Sequence, residues 1–168
     1  MSSNAPTDAA DARRRVTELV RQARICMLTT TAVDGLMVSR PMALQEAEFD
    51  GDLWFFAYAD SAKVRQIRVN PEVNVSFSDQ KHNSWVSLSG TARESFDRAK
   101  AEQLWNPLLK TWFPDGLDTP GLTLLTVHAG SAEYWDSPSS AVVNLLGFAK
   151  AAVTGRPPEG GENHEVSY

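Results

Sequence analysis

The chain is poor in the residues that metal, thiol and dinucleotide chemistry require. Cys26 is the single cysteine among 168 residues, so no intramolecular disulfide can form. It lies in the apolar run Ile25-Cys26-Met27-Leu28, where a small buried hydrophobe is the expected role, and these neighbours do not suggest the cationic or helix-terminal setting that a reactive thiol needs. The three histidines, His82, His128 and His164, are far apart and lack ligand spacing, so no metal site is expected. His128, inside a strand-like segment, reads as structural rather than as an acid or base. There is no G-x-G-x-x-G, no G-x-x-x-x-G-K and no G-x-S-x-G, which leaves the common phosphate loops and the nucleophile elbow without support. No apolar run reaches the length of about 18 residues that a membrane-spanning helix needs. Residues 1–8 are polar and lack the apolar core of a secretory signal, so a cytoplasmic location is expected. Cations are outnumbered, 16 Lys and Arg against 21 Asp and Glu, for a net charge of −5. Such a chain lacks the basic face that a nucleic acid backbone needs, although one or two placed cations would suffice for a single phosphate on a small ligand.

What is present is an ordinary globular composition, 42% hydrophobic and 22% charged, sized for one core. The expected division is a tail over 1–8, one domain over 9–153, and a Gly- and Pro-rich flexible tail over 154–168. Val16, Leu19, Val20 and Ala23 follow helical spacing and predict a helix from about Ala9 to Arg24. Strands are expected over Ile25–Thr31 and Leu36–Leu44, joined at Asp34-Gly35, with Pro41 making the second an edge strand or an irregular one. A further strand, Asp52–Tyr58, is strongly aromatic. A short helix over Ser61–Val69, capped by Asp60 or Ser61, stops at Asn70-Pro71. Alternation marks strands around Val73–Phe77 and Trp85–Arg93. A helix from Phe96 to Lys110 should break at Pro107, and an aromatic loop, Trp112–Gly116, follows. Leu122–His128 and Ser131–Trp135 read as two strands joined by Ala129-Gly130, and Ser139–Lys150 as a closing helix. About six or seven such antiparallel strands usually close into a barrel, so the fold class is mainly β (α+β) with flanking helices.

Three segments could carry chemistry. Ser39-Arg40-Pro41-Met42 sets an arginine beside a proline-broken strand: either a surface arginine, or a guanidinium presented to a phosphate. Ser61-Ala62-Lys63 sits at a helix start: either a cap and a solvated lysine, or an anion site built from N–H groups, a hydroxyl and an ammonium. Trp112-Phe113, with Trp105 nearby, either anchors a loop on the core or covers a flat ring. Paired carboxylates are not found near these segments, so no catalytic side chain is assigned.

Taken in order, Leu28-Thr29-Thr30, Ser39-Arg40-Pro41-Met42, Leu53-Trp54-Phe55-Phe56, Ser61-Ala62-Lys63, Asn70-Pro71, Ser87-Leu88-Ser89-Gly90 and Ala132-Glu133-Tyr134-Trp135-Asp136 resemble the pyridoxamine 5'-phosphate oxidase-like flavin-binding split barrels. Leu104-Trp105-Asn106-Pro107 and Trp112-Phe113-Pro114-Asp115-Gly116 are similar to the general stress protein subfamily in particular. The resemblance covers about residues 12–152. It implies a six-stranded antiparallel split β-barrel, a homodimer, and FMN at the subunit interface, with FAD or a deazaflavin as alternatives. Arg40 and Lys63 would meet the phosphate with Ser61 beside them. Ser39, Pro41, Met42 and Phe55, Phe56, Ala57 would line the ribityl chain and ring, and Trp112 would cover it. The family's aromatic strand commonly ends in threonine, where this chain has Ala57 followed by Tyr58. True pyridoxamine phosphate oxidases are longer and carry a substrate-binding C-terminal segment that has no counterpart here, so that activity is not expected. The implied function is a flavin-dependent oxidoreductase involved in stress response, or a flavin carrier or sensor without turnover.

Overall fold

The computed structural model describes residues 9–45, 49–136 and 162–167. Helix α1 (Ala9–Gln22) buries Val16, Leu19 and Val20, the stripe its spacing predicts. The strands are β1 (Ile25–Thr31), β2 (Met37–Ala43), β3 (Asp52–Tyr58), β4 (Glu72–Asp79), β5 (Ser84–Glu94), β6 (Leu122–Asp136) and β7 (Glu162–Ser167). Helix α2 (Ala62–Val69) follows β3, and α3 (Arg98–Leu104) follows β5. All pairs are antiparallel, in the order β2-β1-β4-β5-β6-β3, with β7 added against β6. This is the mainly β architecture expected from the sequence, with one strand more.

Several local features differ from the sequence expectation. Ala129-Gly130 does not turn the chain: Leu122–Asp136 is one strand of 15 residues. Across from it the register shifts, Ser89 opposing Ser131 and Gly90 opposing Ala129, so Gly130 is the extra residue of a β-bulge. The paired strands come very close there, since a Cβ on Gly90 would lie 2.1 Å from the His128 carbonyl oxygen. The C-terminal stretch assigned as tail contains β7, which pairs Ser131–Asp136 of β6. Val166 of β7 is buried, and Arg13 of α1 donates to the Ser167 carbonyl at 2.6 Å. The long helix expected after Phe96 ends at Leu104; a 3-10 turn at Pro107–Thr111 follows, because proline cannot continue the hydrogen-bond ladder. Asp97 caps α3 by accepting from the Ala99 and Lys100 N–H groups. The expected helix over 139–150 and the tail over 1–8 lie outside the described residues.

Pro41 leaves β2 regular and at an edge. Met27 opposes it without a register break, and β2 terminates the strand order. The other terminal strand is β3, which explains its unbroken aromatic run. Phe55 points into the main core with Leu28, Leu53 and Val75. Phe56 points the opposite way, into a second cluster with Leu104, Leu109, Phe113 and Leu124, edge-on to Trp105 at 5.5 Å. A strand buried on both faces reads as continuous rather than alternating. Cys26 is buried in the main core, where desolvation pushes its thiol up to about 12, and its S–H donates to the Met42 carbonyl.

Since directions alternate along the six-strand path, β2 and β3 are antiparallel to each other. One backbone hydrogen bond crosses between them among the described residues, from the Gln45 N–H to the Trp54 carbonyl at 3.5 Å. Beyond it the two edges part and form a seam.

Candidate functional site

Successive residues of β2 face opposite sides. Ser39 and Pro41 lie on the exposed outer face, where Ser39 and Thr29 share a 2.6 Å hydroxyl hydrogen bond. Arg40 and Met42 point inward. Arg40 opposes Leu28 of β1 and reaches past it to α2. Its Nη1 donates to the Leu28 carbonyl at 3.2 Å and to Thr30 Oγ1 at 2.6 Å, and its Nη2 donates to Gln66 Oε1 at 3.0 Å. The buried Thr30 hydroxyl in turn donates to Gln66 Oε1 at 2.6 Å. Every acceptor on Arg40 is neutral: a carbonyl, a hydroxyl and an amide.

Lys63 precedes Gln66 by three residues and so shares its face of α2. Its pKa is held below the usual lysine value, first by burial and second by the positive charge of Arg40. Burial likewise lowers the Arg40 value, although a guanidinium stays protonated at neutral pH. Among the described residues no carboxylate pairs with either cation, and Lys63 has no hydrogen-bond partner. Ser61 is the N-cap of α2, yet its hydroxyl caps nothing and its Oγ is buried without a partner. The first turn of α2 holds no acidic residue.

Burying polar groups without partners costs free energy, and buried like charges cost more. The nearest acid in sequence, Asp60 just before Ser61, forms no ion pair with either cation. Two cations, an orphaned hydroxyl and a helix N-terminus therefore converge with neither cation held by a carboxylate among the described residues. That donor set fits a phosphate group brought by a ligand.

The remaining sequence-predicted residues are placed differently. The side chains of Met42, Phe55 and Ala57 are buried in the main core and that of Phe56 in the second cluster, which leaves their main chain to face the seam. Trp112 is 55% exposed. It lines a cleft of about 630 Å³ with Arg21, Arg24, Leu44, Gln45 and Trp54. Its carbonyl accepts the Tyr58 hydroxyl at 2.7 Å, which ties the loop to β3. Trp105 is covered within the chain by Phe56. His128 is a cross-strand partner of Asp52, Nδ1 to Oδ1 at 2.7 Å, and His82 pairs with Asp79. No group of three metal-ligating side chains occurs among the described residues.

Thr30 and Gln66 were not named as site residues from the sequence. Neither carries charge; only the pairing of β1 with β2 and the docking of α2 bring them to Arg40. Thr30 belongs to the Leu28-Thr29-Thr30 segment of the family resemblance and shares the inner face with Leu28, which are the signals that pointed to it.

The family model described as "Pyridoxamine 5'-phosphate oxidase like" matches residues 11–159. Protein bli-3 of Neurospora crassa is 31% identical over 150 residues, covering 84% of this chain and 72% of that protein. The solved structure of a general stress FMN/FAD binding protein from Xanthomonas citri is 33% identical, with a TM-score of 0.66, covering 75% of this chain and 89% of that one. General stress protein 26 from Jannaschia shares the fold at a TM-score of 0.76 over 95% of this chain and 99% of that one, with 24% identity. The chain belongs to the pyridoxamine 5'-phosphate oxidase-like family, with its split-barrel fold.

Proposed function

We propose that this protein binds FMN along the seam between β2 and β3, with the phosphate at Arg40, Lys63 and Ser61. The observation that carries this reading is the pair of partly buried cations beside the unpartnered Ser61 hydroxyl, neither cation held by a carboxylate among the described residues. A terminal phosphomonoester carries close to two negative charges near neutral pH, whereas each phosphate of a dinucleotide diester carries one. The charge of the site therefore favours FMN over FAD. The seam supplies main-chain groups of two unpaired edges for the polar rim of the ring, and Trp112, in one cleft with Gln45 and Trp54, an exposed aromatic face. When bound, the flavin supplies the electron chemistry; the protein binds and orients it. The proposed activity is that of an FMN-dependent oxidoreductase serving a stress response in the cytoplasm. Among the described residues no helix is long and apolar enough to cross a membrane.

The proposed unit is a homodimer. The outer face of the sheet carries Met27 and Trp85, 39% and 41% exposed, around a shallow groove of about 360 Å³ that also includes Ser76, Ser87 and Trp135. A groove lined by uncharged, partly apolar side chains, with Glu133 beside it across from Ser87, is suited to a second copy.

Titration of the apoprotein with FMN and with riboflavin tests the phosphate assignment. Each charge-assisted hydrogen bond contributes about 1.5–3 kcal/mol, so Arg40→Ala should weaken FMN roughly 10- to 100-fold. Riboflavin, which lacks the phosphate, should change little. Equal losses for both ligands would refute the assignment. Reduction of the holoprotein by a nicotinamide donor, compared with free FMN, tests the oxidoreductase reading; no acceleration with any donor would leave a flavin carrier.

A further inference from the structure

We propose that Gln66 and Thr30 are positioning residues that aim one edge of the Arg40 guanidinium at the ligand phosphate while leaving its charge uncancelled. The inference rests on the phosphate reading above. A guanidinium has five N–H donors in a fixed fork. Three are committed within the protein, two from Nη1 to Leu28 and Thr30 and one from Nη2 to Gln66. Thr30 Oγ1 and Gln66 Oε1 are themselves hydrogen-bonded at 2.6 Å, so they form one clip around the Nη1–Nη2 end. What remains is the Nε–H and the second Nη2–H, which lie along one side of the fork. That side matches two oxygens of a phosphate.

The chemistry of the clip matters as much as its geometry. A partly buried arginine is usually held by a carboxylate, which would grip it more firmly and neutralise it. An amide and a hydroxyl hold the same orientation through neutral acceptors. The cation is thus immobilised before the ligand arrives, so less conformational freedom is lost on binding, and its charge is still available to the incoming anion. Gln66 also lies one helical turn after Lys63, so a negative charge there would offset the second cation as well.

The test compares FMN and riboflavin affinities, by quenching of flavin fluorescence on the full-length apoprotein, for Gln66→Glu, Gln66→Met, Thr30→Val, Thr30→Ser and Arg40→Ala. Gln66→Glu keeps the shape and hydrogen bonds of the clip but adds a charge. It should weaken FMN about tenfold or more, with riboflavin changed less than about twofold. Gln66→Met and Thr30→Val should each weaken FMN several-fold by loosening the fork, and Thr30→Ser should restore most of the loss. A variant that loses both ligands in proportion acts through the fold, and that result overturns the proposal. So does Gln66→Glu binding FMN like the parent while Arg40→Ala loses FMN selectively, in which case the phosphate reading survives alone. If Arg40→Ala itself shows no selectivity for FMN, the phosphate reading fails and the positioning role falls with it.

Discussion

Replacing Lys63 by methionine should stabilise the protein without ligand and destabilise it with ligand, relative to the parent. Burial and the neighbouring Arg40 charge both depress the Lys63 pKa. A lysine whose folded-state pKa lies below its unfolded value makes the folded state carry the full penalty of its charge at every pH below both values. The penalty fades only as pH rises through the folded-state value toward the unfolded one, where the unfolded chain binds more protons. Lys63 is only partly buried, so solvent screening reduces the gain from its removal to about 1 kcal/mol or less, a rise of about 1–4 °C in the Tm of the apoprotein. With FMN at about 100 times the parent Kd, binding stabilises the parent by about 2.7 kcal/mol. Losing one charge-assisted hydrogen bond of about 1.5–3 kcal/mol raises Kd roughly 10- to 160-fold. At the same FMN concentration the variant then gains only about 0.3–1.4 kcal/mol from binding. The two melting curves should therefore exchange order on adding FMN, or at least converge, which differential scanning fluorimetry at pH 7 with and without ligand would show. A lower apo Tm for Lys63→Met, or an equal FMN-induced shift in both proteins, would refute the argument that Lys63 is an unbalanced cation kept for an anion.

Two further outcomes follow from the same physical description. Gly90→Ala should cost about 2–3 kcal/mol in chemical denaturation, because its Cβ would sit 2.1 Å from a backbone oxygen that the β5–β6 ladder holds in place. Gly130→Ala, with its nearest new contact at 3.5 Å, should cost under about 1 kcal/mol, and equal costs would contradict the bulge geometry. Trp85→Glu should leave the parent's far-ultraviolet circular dichroism unchanged yet give a monomer in sedimentation at micromolar concentration; a persistent dimer would move the interface away from this sheet face.

Much of the fold was legible along the chain because strand and helix signals are local. Val16, Leu19 and Val20 fall on one helical stripe, Asp52–Tyr58 is aromatic throughout, and Val86 and Leu88 alternate with polar neighbours; each pattern reports which side of a segment meets the core. Ala129-Gly130 misled for the opposite reason. A glycine in a strand suits a turn or a bulge equally well, and the choice was made by the partner strand, where Gly90 permits a backbone approach that no side chain allows. The strand at 162–167 was hidden because its hydrogen bonds go to β6, some 30 residues earlier, and a polar stretch such as Glu162-Asn163-His164 does not display that pairing.

The candidate site divides in the same way. Charge is written in the residue itself, so Arg40 and Lys63 could be named from sequence, with Ser61 beside Lys63. Whether they meet, and whether anything neutralises them, are properties of three-dimensional placement. The pairing of β1 with β2 and the docking of α2 bring Arg40 to the face of Lys63, and the same docking supplies Thr30 and Gln66, neutral residues that no charge pattern distinguishes. Tertiary packing likewise decided that the side chains of Phe55 and Phe56 belong to two cores, because a strand with both faces covered turns every side chain away from its open edge. The sequence by itself determined the antiparallel strand pattern and the identity of the cations; the tertiary structure decided which side chains are consumed by packing and which remain unbalanced, because burial and charge compensation depend on neighbours far apart in the chain.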